Sequence, residues 1–261
     1  MTRIDYSKST KYTDLDAIYM ECSGPGGLRL SDFMAQKMGM GPKARLPKAR
    51  LLDVGCNRGV QSCFLAKEYG LSVFAIDPWD DRMQGDPMVE HVRRNAQAWG
   101  VASSVLAQKI GVPDTNFASE SFDFALSTTA LEMVRGMQGE AGYLACLEEI
   151  RRVLRPGGVF GLGEPMHLDV PLPADLEPYV SQEEFPWKEC FRDIHATVAD
   201  VERAGFRVIE SGYAPDAQDW WMEFALHDPF CKKDPQGDPK TLAVDNGRWT
   251  SFGYVIAVKP E

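Results

Sequence analysis

The chain has 261 residues, 44% hydrophobic and 25% charged, enough for one substantial core and short of two full-sized domains. Asp and Glu number 38 against 28 Lys and Arg, a formal charge of −10 that disfavours a free-standing nucleic-acid binder. No run approaches the ~18 apolar residues of a membrane-spanning helix. The polar start MTRIDYSKSTKYTD carries no signal-peptide stretch, so the expected location is the cytoplasm.

The six cysteines (Cys22, Cys56, Cys63, Cys146, Cys190 and Cys231) are scattered and make no CxxC pair. With only four histidines (His91, His167, His195 and His227), reduced buried thiols are expected rather than a metal site.

In chain order, residues 1–45 form a polar N-terminal segment, expected to be a helical cap or lid. Within it LRLSDFMAQKM (28–38) has helical spacing, with Ser31 as a candidate cap. ARLLDVGC predicts a buried strand ending near Asp53, and VQSCFLAKEYG (60–70) a helix stopped by glycine. LSVFAID (71–77) predicts a second strand and PMVEHVRRNAQAWG (87–100) a helix. Strands follow at 104–110 and 122–127, then a helix at 143–154 halted by RPGG, and a strand at 159–165. This alternation is the signature of a doubly wound α/β sheet with parallel strands.

After Pro165 the rhythm breaks. A helix is expected over 193–206 and strands in FRVIESGY and RWTSFGYVIAVK. The Trp-, Asp- and Pro-rich stretch between those strands is either functional or contains further helices. Residues 46–165 are thus the expected α/β core, and 166–261 a continuation of the same domain with insertions and closing strands.

The strongest local signal is LLDVGCNRG (51–59), between a buried strand and a helix. Gly55 and Gly59 suit a tight turn and a close ligand at the carboxyl end of the strand. Two glycines alone are weak, since any strand-to-helix turn can hold them. No Gly-Lys-Ser/Thr follows, and Asn57 stands where a dinucleotide fingerprint has its second glycine. Asp53 beside the loop is unwelcome near a pyrophosphate but useful to an amino group. Asp77, about twenty residues on, ends the second strand where a carboxylate can accept both ribose hydroxyls. A nucleoside bearing an amino acid and no phosphate fits both carboxylates, which describes S-adenosylmethionine.

LLDVGCNRG resembles the first motif, D-x-G-x-G-x-G, of class I S-adenosylmethionine-dependent methyltransferases, and Asp77 in FAIDPW matches that family's ribose acid. SESFDFALSTTALEMV resembles the fourth-strand motif, and EEIRRVLRPGGVFGLGEP the L-x-P-G-G motif before strand five. The order and separations agree over roughly residues 46–165. SGPGG (23–27), the tail after Trp220 and FGYVIAVK also resemble a bacterial and archaeal small-molecule branch.

The resemblance implies a Rossmann-like, mostly parallel seven-stranded sheet with helices on both faces and an antiparallel last strand. It implies S-adenosylmethionine as cofactor and methyl transfer by in-line displacement to a small molecule, with amine, thiol, hydroxyl and carbon acceptors all open. The implied cofactor residues are Asp53, Gly55, Cys56, Asn57, Gly59, Asp77, Pro78, Gly111, Val112, Ser127 and Thr128. Gly111 stands where relatives carry an acid for the adenine amino group, so backbone at Gly111 and Val112, or Asp114, takes that task. Trp79 is either a stacking wall or packing. Glu132, where relatives often have His, either orients the acceptor or takes a proton, or caps the following helix.

Two tryptophans and three acids in DWWMEFALHDPF, with Trp187, suit a cationic or amine-bearing acceptor, or else make a lid helix packing Trp221, Phe224 and Ala225. Glu177, Glu183, Glu184, Asp216, Asp219, Glu223 and Asp228 add acid to those segments. SGPGG suggests a segment closing over the cofactor, with Tyr12, Tyr19 and Glu21 near the acceptor and Tyr19 a candidate catalytic residue; a plain helix-leading turn is the alternative. The expected state is a monomer or homodimer, with neither nucleic acid nor membrane as partner. Competing functions are methyl transfer to protein or nucleic acid, non-methylating S-adenosylmethionine binding and, as an outsider, a dehydrogenase.

Overall fold

A computed structural model describes residues 4–41, 48–82, 84–182 and 185–261. The apolar runs become strands β1 (Arg50–Val54), β2 (Ser72–Ile76), β3 (Val105–Gln108), β4 (Phe122–Thr128), β5 (Leu154–His167), β6 (Arg207–Tyr213) and β7 (Thr250–Val258). They form one sheet in the order β3-β2-β1-β4-β5-β7-β6. The first five run parallel, and β7 lies antiparallel to both β5 and β6. Strand order reverses between β1 and β4, so the loops leaving them diverge and open a crevice at their carboxyl ends.

Helices cover both faces because the central strands are apolar on both sides. One face buries α2 (Gly27–Lys37), α3 (Val60–Tyr69) and α9 (Ala217–His227) around Phe33, Phe64 and Trp220. The other buries α5 (Leu131–Val153) and α8 (Ile194–Arg203) around Tyr143, Leu147 and Val201. Also present are α1 (Leu15–Glu21), α4 (Met88–Ala98), α6 (Glu177–Val180), α7 (Trp187–Cys190), α10 (Pro229–Lys233) and α11 (Asp238–Asp245). Among the described residues no helix is long and apolar enough to cross a membrane.

Two expectations change. Ser31 is no cap: α2 starts at Gly27, which puts Ser31 inside the helix and fully buried. The helix expected from residue 143 begins at Leu131 and is interrupted at Gly139, whose positive φ breaks the periodicity that marks a helix in sequence. The stretch between β6 and β7 contains further helices, one of the two readings of it: α9, α10 and α11 fill it. In α9, Trp220, Trp221 and Phe224 are buried at helical spacing and Ala225 packs beside them, with the Trp221 indole donating to the Ser251 carbonyl at 3.1 Å.

Candidate active site

The turn after β1 lies at the crevice, and its amides are all committed. Gly55 N–H and Cys56 N–H donate to the Ile76 carbonyl at 2.9 and 3.1 Å. Asn57 N–H donates to Asp77 Oδ2 at 2.9 Å, Arg58 N–H to Asn57 Oδ1 at 2.8 Å and Gly59 N–H to the Cys56 carbonyl at 2.9 Å. A phosphate-binding loop needs such amides free and pointing at the anion. This loop instead spends them on holding β1 to β2 and on fixing Asp77.

Asp77 accepts a second amide, Trp79 N–H on Oδ1 at 2.9 Å. Burial pushes its carboxyl up, opposed by the Trp79 and Asn57 amides. Each oxygen keeps a further lone pair for a hydroxyl donor. Asp53 is buried at the end of β1, accepts from the Ser62 hydroxyl, and has no ion pair among the described residues. Burial pushes its pKa up to about 6, with Ser62 opposing and Asp77 adding to the rise.

The far wall of the crevice is the β4–α5 connection. A Cβ on Gly55 would stand 2.4 Å from the Ala130 Cβ, so loop and wall touch there, and Gly55 has φ +75°. Ser127 turns its hydroxyl to the Val54 carbonyl at 3.2 Å, away from the opening. Thr128 Oγ1 meets Gln61 Oε1 at 3.4 Å, while Gln61 Nε2 donates to the Gly27 carbonyl at 2.9 Å. Gly111 packs against Pro78, which brings the turn after β3 beside the residue following Asp77. Val112 follows with a cis bond to Pro113, and Asp114 and Trp79 are exposed.

The N-terminal segment lies on this opening. A Cβ on Gly24 would be 2.8 Å from Thr129 Oγ1, and Gly24 has φ +112°, so both contact and backbone demand glycine. Arg58 ties the segment down. Its guanidinium bonds both carboxylate oxygens of buried Asp81 and also reaches the Met20 carbonyl at the end of α1. Glu21 accepts from Asn95 at 2.9 Å, beside the same loop.

Tyr19 is buried between α1 and α9, donating to Glu223 Oε1 at 3.0 Å, while Arg29 holds the other Glu223 oxygen at 2.7 Å. Burial and Glu223 push the Tyr19 phenol up, so its proton is held. Tyr12 is not near the opening: it stacks on Trp99 at 4.8 Å and donates to Glu68 near the end of α3, away from the strands' carboxyl ends. His167 stacks on Trp249 and His195 is exposed on α8.

Glu132 occupies the first turn of α5 and is buried beside Glu164, near the carboxyl end of β5. Glu164 accepts from the Tyr143 hydroxyl at 3.0 Å and faces Arg135 Nη1 at 3.5 Å. Burial, then the neighbouring Glu164, pushes the Glu132 carboxyl well above the usual range. Sequence reasoning missed Glu164, Arg135, Tyr143 and Arg58. The available signal was an acid inside the apolar run VFGLGEP, since unpaired buried carboxylates are rare.

Of the acids of the later segments, Glu223 and Asp228 both face the buried Cys22 thiol, and the others stand apart. Glu177 and Asp219 are exposed, Asp216 accepts from Tyr6, and Asp228 caps α10. Glu183 and Glu184 lie outside the described residues, as do residues 1–3 and 42–45 of the N-terminal segment.

Residues 52–162 match the family described as "Methyltransferase domain". A sterol 24-C-methyltransferase of Yarrowia lipolytica is 28% identical over 136 residues, 52% of this chain and 31% of that protein. The chain's matches span about half or less of the length of its curated relatives. Phosphoethanolamine N-methyltransferase 2 of Haemonchus contortus, solved with S-adenosyl-L-methionine, superposes with a TM-score of 0.73 at 19% identity, covering 99% of this chain and 60% of that one. The cyclase SpnF superposes with a TM-score of 0.67 at 17% identity, over 90% and 82% of the two chains. At these identities the structures share the fold.

Proposed function

We propose, from the match of residues 52–162 to the methyltransferase-domain family and from the site's geometry, that the chain transfers the methyl group of S-adenosylmethionine to a small-molecule acceptor. The carrying observation is the loop after β1: every amide from Gly55 to Gly59 is committed, and two buried carboxylates flank the turn. That donor set suits a nucleoside with an amino group and repels a pyrophosphate. It disfavours a dinucleotide and therefore a dehydrogenase.

When bound, S-adenosylmethionine supplies a methyl group on a sulfonium, already a good leaving group. Asp77 would accept the ribose hydroxyls on lone pairs left over from Asn57 and Trp79. Asp53 would offer charge to the amino-acid end, and the Gly111–Val112 backbone, against Pro78, would edge the base. Ser127 supports the site through β1, because its hydroxyl is spent there. The cap of α1, SGPGG and α2 excludes water, which matters where catalysis is mainly alignment. Tyr19 holds that cap through Glu223 and serves positioning rather than proton transfer. Glu132 faces the acceptor side. The acidic balance and the covered opening favour a small acceptor over nucleic acid.

Calorimetry with S-adenosylmethionine, S-adenosylhomocysteine and NAD tests the reading. Binding of both adenosyl ligands with no response to NAD is expected. NAD binding without adenosyl binding overturns it.

A further inference from the structure

Among the described residues, the cluster at the carboxyl ends of β4 and β5, buried at Glu132, Arg135 and Glu164, is short of positive charge. Glu132 and Arg135 stand on α5, Glu164 on β5, Asp200 on α8, and Glu140 at the break in α5. Arg135 faces Glu164, Asp200 and Glu140 at 3.5, 3.5 and 3.7 Å. Its guanidinium also lies 3.6 Å from the Tyr143 ring centroid and reaches the Cys190 carbonyl at 3.2 Å. Arg203 pairs with Asp200 at 2.9 Å and Arg192 pairs with Glu140. Four carboxylates therefore meet three guanidiniums. From α7 the Cys190 thiol faces Glu132 and Glu189 adds a further acid, while Lys188 turns to Glu177 at 3.8 Å.

The carboxylate left over is Glu132. It is 1% exposed and Glu164 is wholly buried, yet among the described residues Oε2 of each has no hydrogen-bond partner. A purely structural pair would satisfy those oxygens, because an orphaned buried acceptor costs the full desolvation of the group. The pair stands behind the far wall of the crevice. Thr129 N–H, just past β4, bonds the Gly163 carbonyl, and Glu132 follows within one helical turn.

We propose that Glu132 and Glu164 form a cation subsite filled by the protonated amine of the methyl acceptor, and that Glu132 takes the proton the amine must lose. This rests on the methyltransferase reading above. Burial and the neighbouring Glu164 favour the neutral form of Glu132 in the free protein. An arriving ammonium replaces that proton, which leaves to solvent. An N–H proton then passes from the ammonium to the Glu132 carboxylate. The freed nitrogen lone pair forms the N–C bond as the C–S bond breaks, and the sulfur keeps the electron pair. The products are an N-methylated ammonium and a neutral thioether, so charge and atoms balance.

The full chain saturated with S-adenosylhomocysteine is titrated at pH 8 with propylammonium, butylammonium and 1-propanol, by calorimetry in two buffers of different ionisation heat. Saturable binding of the ammonium probes is expected, with release of roughly one proton. Propanol should not bind, and Glu132→Gln should weaken the ammonium at least about tenfold while keeping wild-type affinity for S-adenosylhomocysteine. Absence of ammonium binding, equal binding of propanol, or an unchanged Glu132→Gln overturns the subsite and leaves the methyltransferase reading standing. Failure to bind S-adenosylhomocysteine overturns that reading itself, and the subsite with it. Glu164→Gln is the second variant and should show the same loss. Without either variant, the infrared band of a protonated buried carboxyl should be present in the free protein and vanish as butylammonium saturates; its persistence overturns the proposal.

Discussion

Asp53→Asn separates stability from ligand binding at a single atom. Asp53 is buried with one hydroxyl partner and no cation among the described residues. Its pKa rises from 3.8 to about 6, mainly through burial. The folded state therefore holds this proton more tightly than the unfolded chain. The associated stability is complete below 3.8 and is lost as pH rises through about 6. At about 1.4 kcal/mol per unit the loss is about 3 kcal/mol at most. Asn cannot ionise and still accepts from Ser62 through Oδ1. The variant should match wild type near pH 4 and exceed it by about 1–3 kcal/mol at pH 7.5, read by urea unfolding at each pH. S-adenosylmethionine affinity at pH 7.5 should fall by about tenfold or more, the worth of one charge-assisted contact. Equal stability gains at both pH values would refute the electrostatic account. Wild-type affinity would refute the assigned amino-group contact.

Asp77→Ala should weaken S-adenosylmethionine and S-adenosylhomocysteine alike, by about 1.5–3 kcal/mol for each hydrogen bond lost; calorimetry giving wild-type affinity would remove Asp77 from the ribose. Gly55→Ala sets a Cβ against Ala130 at positive φ and should cost about 1–3 kcal/mol, seen as a lower thermal midpoint. Arg58→Met removes the guanidinium shared by Asp81 and the Met20 carbonyl. It should speed hydrogen exchange over residues 15–27 while leaving β7 unchanged. In the wild type, exchange over residues 10–35 should slow when S-adenosylmethionine binds, and unchanged protection there would rule out a closing cap.

The glycine turn and the two carboxylates beside it were legible because their logic is local. A buried strand, a glycine turn and an acid ending the next strand are each written in a few consecutive residues, and Asp53, Gly55 and Asp77 lie where that logic puts them. The buried contacts of Tyr19 and Glu132 were not, because they are long-range. Tyr19 finds Glu223 and Glu132 finds Glu164, from helices and strands that nothing in sequence spacing brings together. Tyr12 misled for the same reason: proximity in sequence to SGPGG says nothing of the stacking on Trp99 that carries it to another face. The break in α5 hid its first turn, and with it Glu132's place behind the far wall of the crevice, from a reading based on periodicity.

β7, the last strand in sequence, is not an edge strand. It sits between β5 and β6 and, among the described residues, supplies the only sheet partner of β6. During synthesis β1 to β5 can pair as they emerge, whereas β6 must wait for residues 250–258. Until then the open flank of β5, apolar at Phe160 and Leu162, is an unpaired edge next to a growing chain. The half of the molecule that would choose the acceptor is thus completed last, and chaperone dependence or aggregation should concentrate in that interval.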